Sequence, residues 1–223
     1  MSGYLSPVKP LVPPGVYAPQ DDTDLLVGAL SEEPLSPNAD VLDVGTGAGA
    51  LALAAARRGT RVTAVDVSWR AVWTARLNAR LAGVPVRTRR GNLFAPVRGQ
   101  SFDLILSNPP YVPAPTAGAP PRGVARAWDA GEDGRLVLDR ICREAPVVLR
   151  PGGVLLMVHS ALSDPDRTLG RLHDAGFRAA VTHRRKIAFG PVLHSRADWL
   201  RQRGLVSDDE KEELVVVRAE LPC

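Results

Sequence analysis

Ser107-Asn108-Pro109-Pro110-Tyr111 is the segment of this chain whose residue types could act on a nitrogen. Neither proline has an N–H to offer. The Asn108 side-chain oxygen and the Pro109 carbonyl can therefore stand as a pair of acceptors, and two converging acceptors suit an NH2 group. Pro110 biases Pro109 toward extended backbone, which fixes that carbonyl. Tyr111 adds a flat face for a planar amide or base. The blander use of the segment is a strand-to-loop turn without chemistry.

Two further segments could hold a ligand for such a reaction. Asp43-Val-Gly45-Thr-Gly47-Ala-Gly49 closes one apolar run and opens an Ala-rich one. Glycines there let backbone approach a ligand and let strand and helix pack closely. The spacing is GxGxG behind an acid, which differs from the GxGxxG of dinucleotide folds. Asp66 closes the next strand-like run, where an acid can accept from both hydroxyls of a ribose. Its competing role is to cap the helix that begins near Ser68.

Other reactive types have plainer roles. His159 ends a strand and could serve as a base, while His173, His183 and His194 lack the spacing of a metal site. Cys142 falls on an apolar stripe and reads as core. Arg87, Arg89 and Arg90 read as a solvated edge, with an RNA contact as the sharper option.

The elements that must position these residues alternate. Asp21 to Leu30 reads as a short helix with acids in its first turn. Strands are expected at 41–44, 61–66, 85–89, 102–106, 154–158 and 214–218, with one more before Phe189. Between them fall an Ala-rich helix ending at Arg58, a helix capped by Ser68 with Val72, Ala75, Ala79 and Ala82 on one stripe, and a helix over 136–149. Strands separated by helices imply βαβ units and a mainly parallel sheet, with ligands at the carboxyl ends of the strands. Residues 1–38 form an arm and short helix, and 39–223 form the catalytic domain. Between Phe189 and Leu214 lies more than a hairpin loop requires. Ser195 to Arg203 reads there as a short surface helix ended by Gly204, away from Asn108 unless Trp199 anchors it across the substrate mouth. An acidic, mobile stretch over 207–213 follows, and the insertion is either decoration or a docking element.

With 223 residues, the chain favours one large domain. Net charge is +4, and 25 of the 28 basic residues are arginine. That bias is compatible with RNA or with a protein carried on a ribosome, and equally with GC-rich codons. The two cysteines form no CxxC, which points to the cytosol. No apolar run reaches the roughly 18 residues of a membrane helix, and no signal peptide opens the chain.

Asp-Val-Gly-Thr-Gly-Ala-Gly, Asp66 and Asn-Pro-Pro-Tyr together resemble class I methyltransferases acting on exocyclic nitrogens. Within them the chain is similar to the HemK family of release-factor glutamine methyltransferases. Val16-Tyr17-Ala-Pro19-Gln-Asp-Asp22-Thr23-Asp-Leu-Leu26 resembles the N-terminal segment of the short branch, which carries no helical N-terminal domain. Ala127-Trp128-Asp-Ala-Gly131-Glu-Asp-Gly134-Arg resembles the Gly-containing segment that follows the catalytic loop. The resemblance implies a Rossmann-like α/β fold with a seven-stranded, mostly parallel sheet whose last strand is antiparallel. It implies S-adenosyl-L-methionine as cofactor, touched by Thr23, Asp43, Gly45, Gly47, Asp66, Asn92, Leu93 and Asn108. Asn108, Pro109 and Tyr111 would be catalytic, and Asn108 through Tyr111 would bind substrate. Two positions depart from the family: Asn92 stands where Asp is usual, and Arg126 stands where an acidic or small residue is usual.

The expected reaction is in-line transfer of a sulfonium methyl to nitrogen. The expected substrate is a glutamine of a release factor. The amino group of adenine in RNA or DNA, a small-molecule amine, and a non-catalytic cofactor-binding scaffold are the alternatives. A small activator subunit is a further possible partner.

Overall fold

Alternation of apolar runs with Ala- and Leu-rich helices builds a seven-stranded sheet in the order β3-β2-β1-β4-β5-β7-β6. The computed structural model describes residues 10–116, 123–207 and 209–223. In chain order the elements are α1 (Asp21–Glu32), β1 (Asp40–Val44), α2 (Ala50–Ala56), β2 (Arg61–Asp66), α3 (Trp69–Leu81), β3 (Val86–Arg90), β4 (Phe102–Ser107), α4 (Leu138–Glu144), β5 (Leu149–Ser160), α5 (Pro165–Asp174), β6 (Arg178–Ala188), α6 (Pro191–Gln202) and β7 (Lys211–Glu220). Strands β1 to β5 pair in parallel, and β7 runs antiparallel between β5 and β6. This is the Rossmann-like methyltransferase arrangement expected above.

The central strands are apolar because both of their faces are covered, as for Leu104, Ile105 and Leu106 on β4. Helix α1 sends Leu25, Leu26, Ala29 and Leu30 into that same core. Its first turn thereby arrives at the carboxyl ends of β4 and β5.

Four local expectations need correction. The buried stripe of α3 is Ala71, Thr74, Ala75, Asn78 and Ala79, with Val72 and Ala82 half-exposed. Its phase is set by close contact with α2: a Cβ on Gly49 would lie 3.0 Å from that of Ala75. Asn78 is tolerated on that face because its amide bonds both backbone groups of Leu11 and the Ala48 carbonyl. The helix expected over 136–149 ends at Glu144 and passes into a 3-10 turn. Pro146 lacks an N–H to continue the α-helical ladder, while Ala145 keeps helical backbone and leads into the 3-10 turn. Helix α6 starts at Pro191, whose fixed φ suits a first helical position, and Ser195 bonds Val192 O instead of capping. The acidic stretch is part of the sheet at its far end: Lys211 pairs with Ala188, Glu213 with Lys186, and Glu210 bonds Arg201. Within that stretch, residue 208 lies outside the described residues, as do 117–122 of the loop after Tyr111.

Candidate active site

The Gly-rich turn and the Asn108 loop meet at the carboxyl edge of β1 and β4. At the end of β1, Asp43 is fully buried. Its Oδ2 accepts from the Thr46 hydroxyl at 2.6 Å and the Ala52 N–H at 3.0 Å. Oδ1 has no partner among the described residues. Burial pushes the Asp43 carboxyl up to about 7, against those two hydrogen bonds. Gly45 and Gly47 sit at φ +78° and +53°, where a side chain would be strained. The turn is tied to β2, since the Val65 carbonyl accepts from Gly45 and Thr46.

Asp66 performs a local task whatever else it binds. Its Oδ2 accepts from the Gly47 N–H at 3.0 Å and its Oδ1 from the Ser68 N–H at 2.8 Å. Burial raises its pKa, opposed by these bonds and by the positive charge of Arg126. Even with the Gly47, Ser68 and Val67 N–H groups bound, its two oxygens retain lone pairs for hydroxyls. The helix that follows is capped by Ser68 itself, whose Oγ accepts from Ala71 N.

Thr23, Gly45, Gly47 and Asn108 line one cleft together with Tyr17 and Leu51. Asn92 and Leu93 do not line this cleft; they follow β3, where the Gly91 N–H donates to the Asp66 carbonyl. The exposed Asn92 takes Arg140 Nη1 on its Oδ1 at 3.2 Å, and Leu93 holds a left-handed φ of +47°.

On the other side of the cleft, one carboxylate organises the Asn108 loop. Asp22 lies in the first turn of α1 and is 3% exposed. Its Oδ2 accepts from the Tyr17 hydroxyl at 2.6 Å and from the Tyr111 hydroxyl at 3.0 Å. Its Oδ1 accepts from the Thr23 N–H and the Thr23 hydroxyl. Asn108 Nδ2 in turn donates to Thr23 Oγ1 at 3.2 Å. Pro109 is buried and Pro110 half-buried. Burial first, then the Asp22 charge, raises both tyrosine hydroxyls well above their ordinary range.

A second acid lies nearby. Glu212 on β7 is buried, and its Oε2 has no partner among the described residues. Burial pushes it up to about 7, with the Asp22 charge adding and a hydrogen bond from Ser160 opposing. His159 also lies at this strand end, fully buried with Nδ1 on the Ser160 carbonyl. Burial lowers it to about 4, so the ring is neutral near neutrality.

The exit of the loop is fixed from three directions. Val112 N donates to Trp128 O, Ala130 N to Val112 O and Ala114 N to Gly131 O. Ser163 Oγ, fully buried, donates to the Tyr111 carbonyl at 2.6 Å, and the Arg135 guanidinium donates to the Ser163 carbonyl. A Cβ on Gly134 would lie 2.3 Å from that same Tyr111 oxygen, so only glycine lets the two segments approach. Finally, Arg196 of α6 donates to the Pro113 carbonyl at 2.9 Å and to Asp129 at 2.5 Å. The insertion thus reaches the segment after Tyr111 through Arg196, while Trp199 packs against the core with Arg203 over its ring.

Sequence reasoning missed Asp22, Glu212, Ser163 and Arg196 as parts of this site. Asp22 was visible as an acid in a first helical turn and as part of the family-like Val16–Leu26 segment, but with no role of its own. Glu212 sat in a run of acids that reads as a solvated surface. Neither pattern carries a trace of the partner, which is distant in sequence.

Comparison with known proteins agrees with the geometry. The methyltransferase small domain family matches residues 11–118. MJ0928 of Methanocaldococcus jannaschii, itself a provisional protein N5-glutamine methyltransferase, is 36% identical over 187 residues, covering 83% of this chain and 93% of that one. The release factor glutamine methyltransferase of Deinococcus radiodurans is 42% identical over 192 residues, covering 83% of this chain but 66% of the relative. The bacterial enzymes are therefore longer than the region they share with this chain. Among solved structures, the E. cuniculi Mtq2-Trm112 complex, responsible for methylation of the eRF1 termination factor, superposes with TM-score 0.66 at 25% identity, covering 92% and 98% of the two chains. This chain belongs to the class I S-adenosylmethionine-dependent methyltransferases of the HemK, or release-factor glutamine methyltransferase, family.

Proposed function

We propose that the chain methylates the side-chain amide nitrogen of a glutamine in a peptide-chain release factor. The observation that carries this reading is the acceptor pair at the end of β4. Asn108 uses its NH2 on Thr23, which leaves its Oδ1 to accept, and the carbonyl of Pro109, next in the chain, is read as the second acceptor. An amide nitrogen is a poor nucleophile because its lone pair is delocalised. Two fixed acceptors on its hydrogens turn that lone pair toward the methyl donor and stabilise the positive charge that grows on the NH2 group. No strong base is needed, since the proton can leave to water after transfer.

The residues around the Gly-rich turn fit S-adenosyl-L-methionine, which supplies the sulfonium methyl when bound. Gly45 and Gly47 bring backbone to the cleft without side chains of their own, Tyr17 packs over Gly47, and the Asp66 carboxylate bound to the Gly47 N–H retains lone pairs. In this reading Thr23, Asp43, Gly45, Gly47 and Asp66 hold the cofactor, with Asn92 and Leu93 on its adenine. Asn108, Pro109, Pro110 and Tyr111 hold the substrate.

A small activator subunit belongs to the same reading, because the Mtq2 relative is a complex with Trm112. Trp69, Trp73, Leu77 and Leu81 form a stripe at four-residue spacing along α3, each about half exposed. It lies beside β3, an edge strand with backbone groups free to pair. That stripe is where the subunit would sit.

The test is methylation by purified enzyme, with and without a candidate activator subunit. Labelled cofactor is offered with release factor, with the same factor carrying Gln→Ala in its Gly-Gly-Gln tip, and with RNA. Label on the tip glutamine alone supports the reading. Label on RNA, or on the Gln→Ala factor, overturns it.

A further inference from the structure

We propose that Asp22 is a positioning residue for methyl transfer, which sets the direction of the Asn108 amide and holds both ends of the four-residue loop. This inference rests on the reading above, in which Asn108 accepts from the substrate NH2 group. A carboxylate has no hydrogen to give, so the contact between Asp22 Oδ1 and Thr23 Oγ1, at 3.1 Å, uses the hydrogen of the threonine. The threonine oxygen can then only accept. Asn108, 3.2 Å away, must turn its NH2 toward Thr23, and its Oδ1 is left for the cleft. With the amide reversed, two acceptors would face each other at Thr23, and two N–H donors would face the NH2 group of the substrate. The apparent two-fold symmetry of an Asn amide is therefore broken by an acid two residues removed in the bonding sequence.

The same carboxylate holds the other end of the loop. Its Oδ2 accepts from the Tyr111 hydroxyl at 3.0 Å, so Asn108 and Tyr111 are referred to one buried group. Pro109 and Pro110 lie between these fixed ends. Asp22 itself is immobilised by Tyr17, by the Thr23 N–H and by its place in the first turn of α1, where the helix dipole favours an anion. Asp22 thus reaches Tyr111 directly and Asn108 through Thr23.

The experiment compares Thr23→Val, Thr23→Ser and Asp22→Asn. Valine keeps the shape of threonine and removes the hydroxyl. Serine keeps the hydroxyl. Asparagine at 22 can donate as well as accept, so the direction of the chain of bonds is lost. For each protein, kcat, cofactor Kd by calorimetry and the side-chain amide signals of Asn108 in a 15N-labelled sample are measured. Thr23→Val and Asp22→Asn are expected to lower kcat roughly 10- to 100-fold. Cofactor Kd should move within about tenfold, since a lost neutral hydrogen bond is worth about that at most. The Asn108 amide signals should shift in both variants, and Thr23→Ser should restore signals and kcat together. If Asp22→Asn fails to fold, the Val and Ser pair decides alone. Unshifted Asn108 signals in Thr23→Val, or full kcat in that variant, overturns the proposal. The amide signals need no protein substrate, so a release factor that stays unmethylated would sink the substrate assignment and leave this inference standing.

Discussion

The two halves of the site are built by different means. Around Gly45 the bonds are local: Thr46 to Asp43 spans 3 residues, Ala52 to Asp43 spans 9, and Gly47 to Asp66 spans 19. These three bonds lie within one βαβ unit, and the next helix adds the bond from Asn78 to the Ala48 carbonyl, 30 residues away. Around Asn108 the bonds are long-range: Asn108 to Thr23 spans 85 residues, Tyr111 to Asp22 spans 89, Arg196 to Pro113 spans 83 and Ser163 to Tyr111 spans 52. The difference fits the division of labour proposed for them. A cofactor common to many enzymes can be held by a short self-contained motif. A substrate amide must be held in one orientation by groups that are themselves fixed, and such rigidity comes from several elements converging.

The largest effect is expected where the substrate half is cut at its centre. Asn108→Ala should lower kcat by about 10²–10³, the typical loss for one preorganised polar group at a reacting centre. Cofactor affinity should stay within about tenfold, because the cofactor half keeps its own bonds. Single-turnover rates and calorimetry would check this, and near-normal turnover would remove Asn108 from catalysis.

Glu212→Gln tests whether a buried acid shapes this half. The Glu212 pKa is raised from 4.5 to about 7, so between those values the folded protein keeps a proton that the unfolded chain has released. Its stabilising contribution is full below 4.5 and declines as pH rises through 7. Linkage puts the decline at roughly 3 kcal/mol across that window. The Gln variant cannot titrate there, so its stability should fall less from pH 5 to pH 8. Denaturant midpoints at the two pH values measure it. Parallel curves for variant and wild type would mean that Glu212 is charged throughout.

Asp66→Ala addresses the local half. Removing an acceptor of two hydroxyls should weaken cofactor binding by about 2–3 kcal/mol. The Gly47 and Ser68 N–H groups also lose their partner. Unchanged affinity by calorimetry would leave Asp66 with its structural task alone.

Arg196→Ala asks whether the insertion contributes to the long-range half. The pair with Asp129 is mostly buried, with side chains 17% and 12% exposed. Its loss should lower kcat/KM on the protein substrate by about tenfold, or roughly 1–2 kcal/mol. If kcat/KM is unchanged in a folded variant, α6 is decoration at this contact.

Asn92→Asp should have the smallest effect. A charged acceptor bonds an adenine amino group more strongly than a neutral one, and a gain of about two- to fivefold in cofactor affinity is expected. Arg140 already donates to Asn92 Oδ1 and competes for the new charge. Weaker binding would show that Arg140 captures it.

The local half was almost fully legible. The strand, the GxGxG turn, the acid at the end of β2 and the cap at Ser68 all stand where the residue pattern put them. Glycine spacing, strand periodicity and cap chemistry are short-range properties, so sequence alone determined them. The Asn-Pro-Pro-Tyr segment was legible too, because proline chemistry is local. What only the tertiary structure decided was the setting of that segment. Asp22 reads in sequence as one more acid favouring a helix start, and Glu212 as one more surface charge. Each acquires its character from burial, and burial follows from α1 and β7 closing on the ends of β4 and β5. Burial also makes Asp22 a group that must be satisfied, and its four bonds then fix which atom of Asn108 is left to act. The sequence names the atoms that can accept a hydrogen bond, and only the packed structure determines which of them is still free.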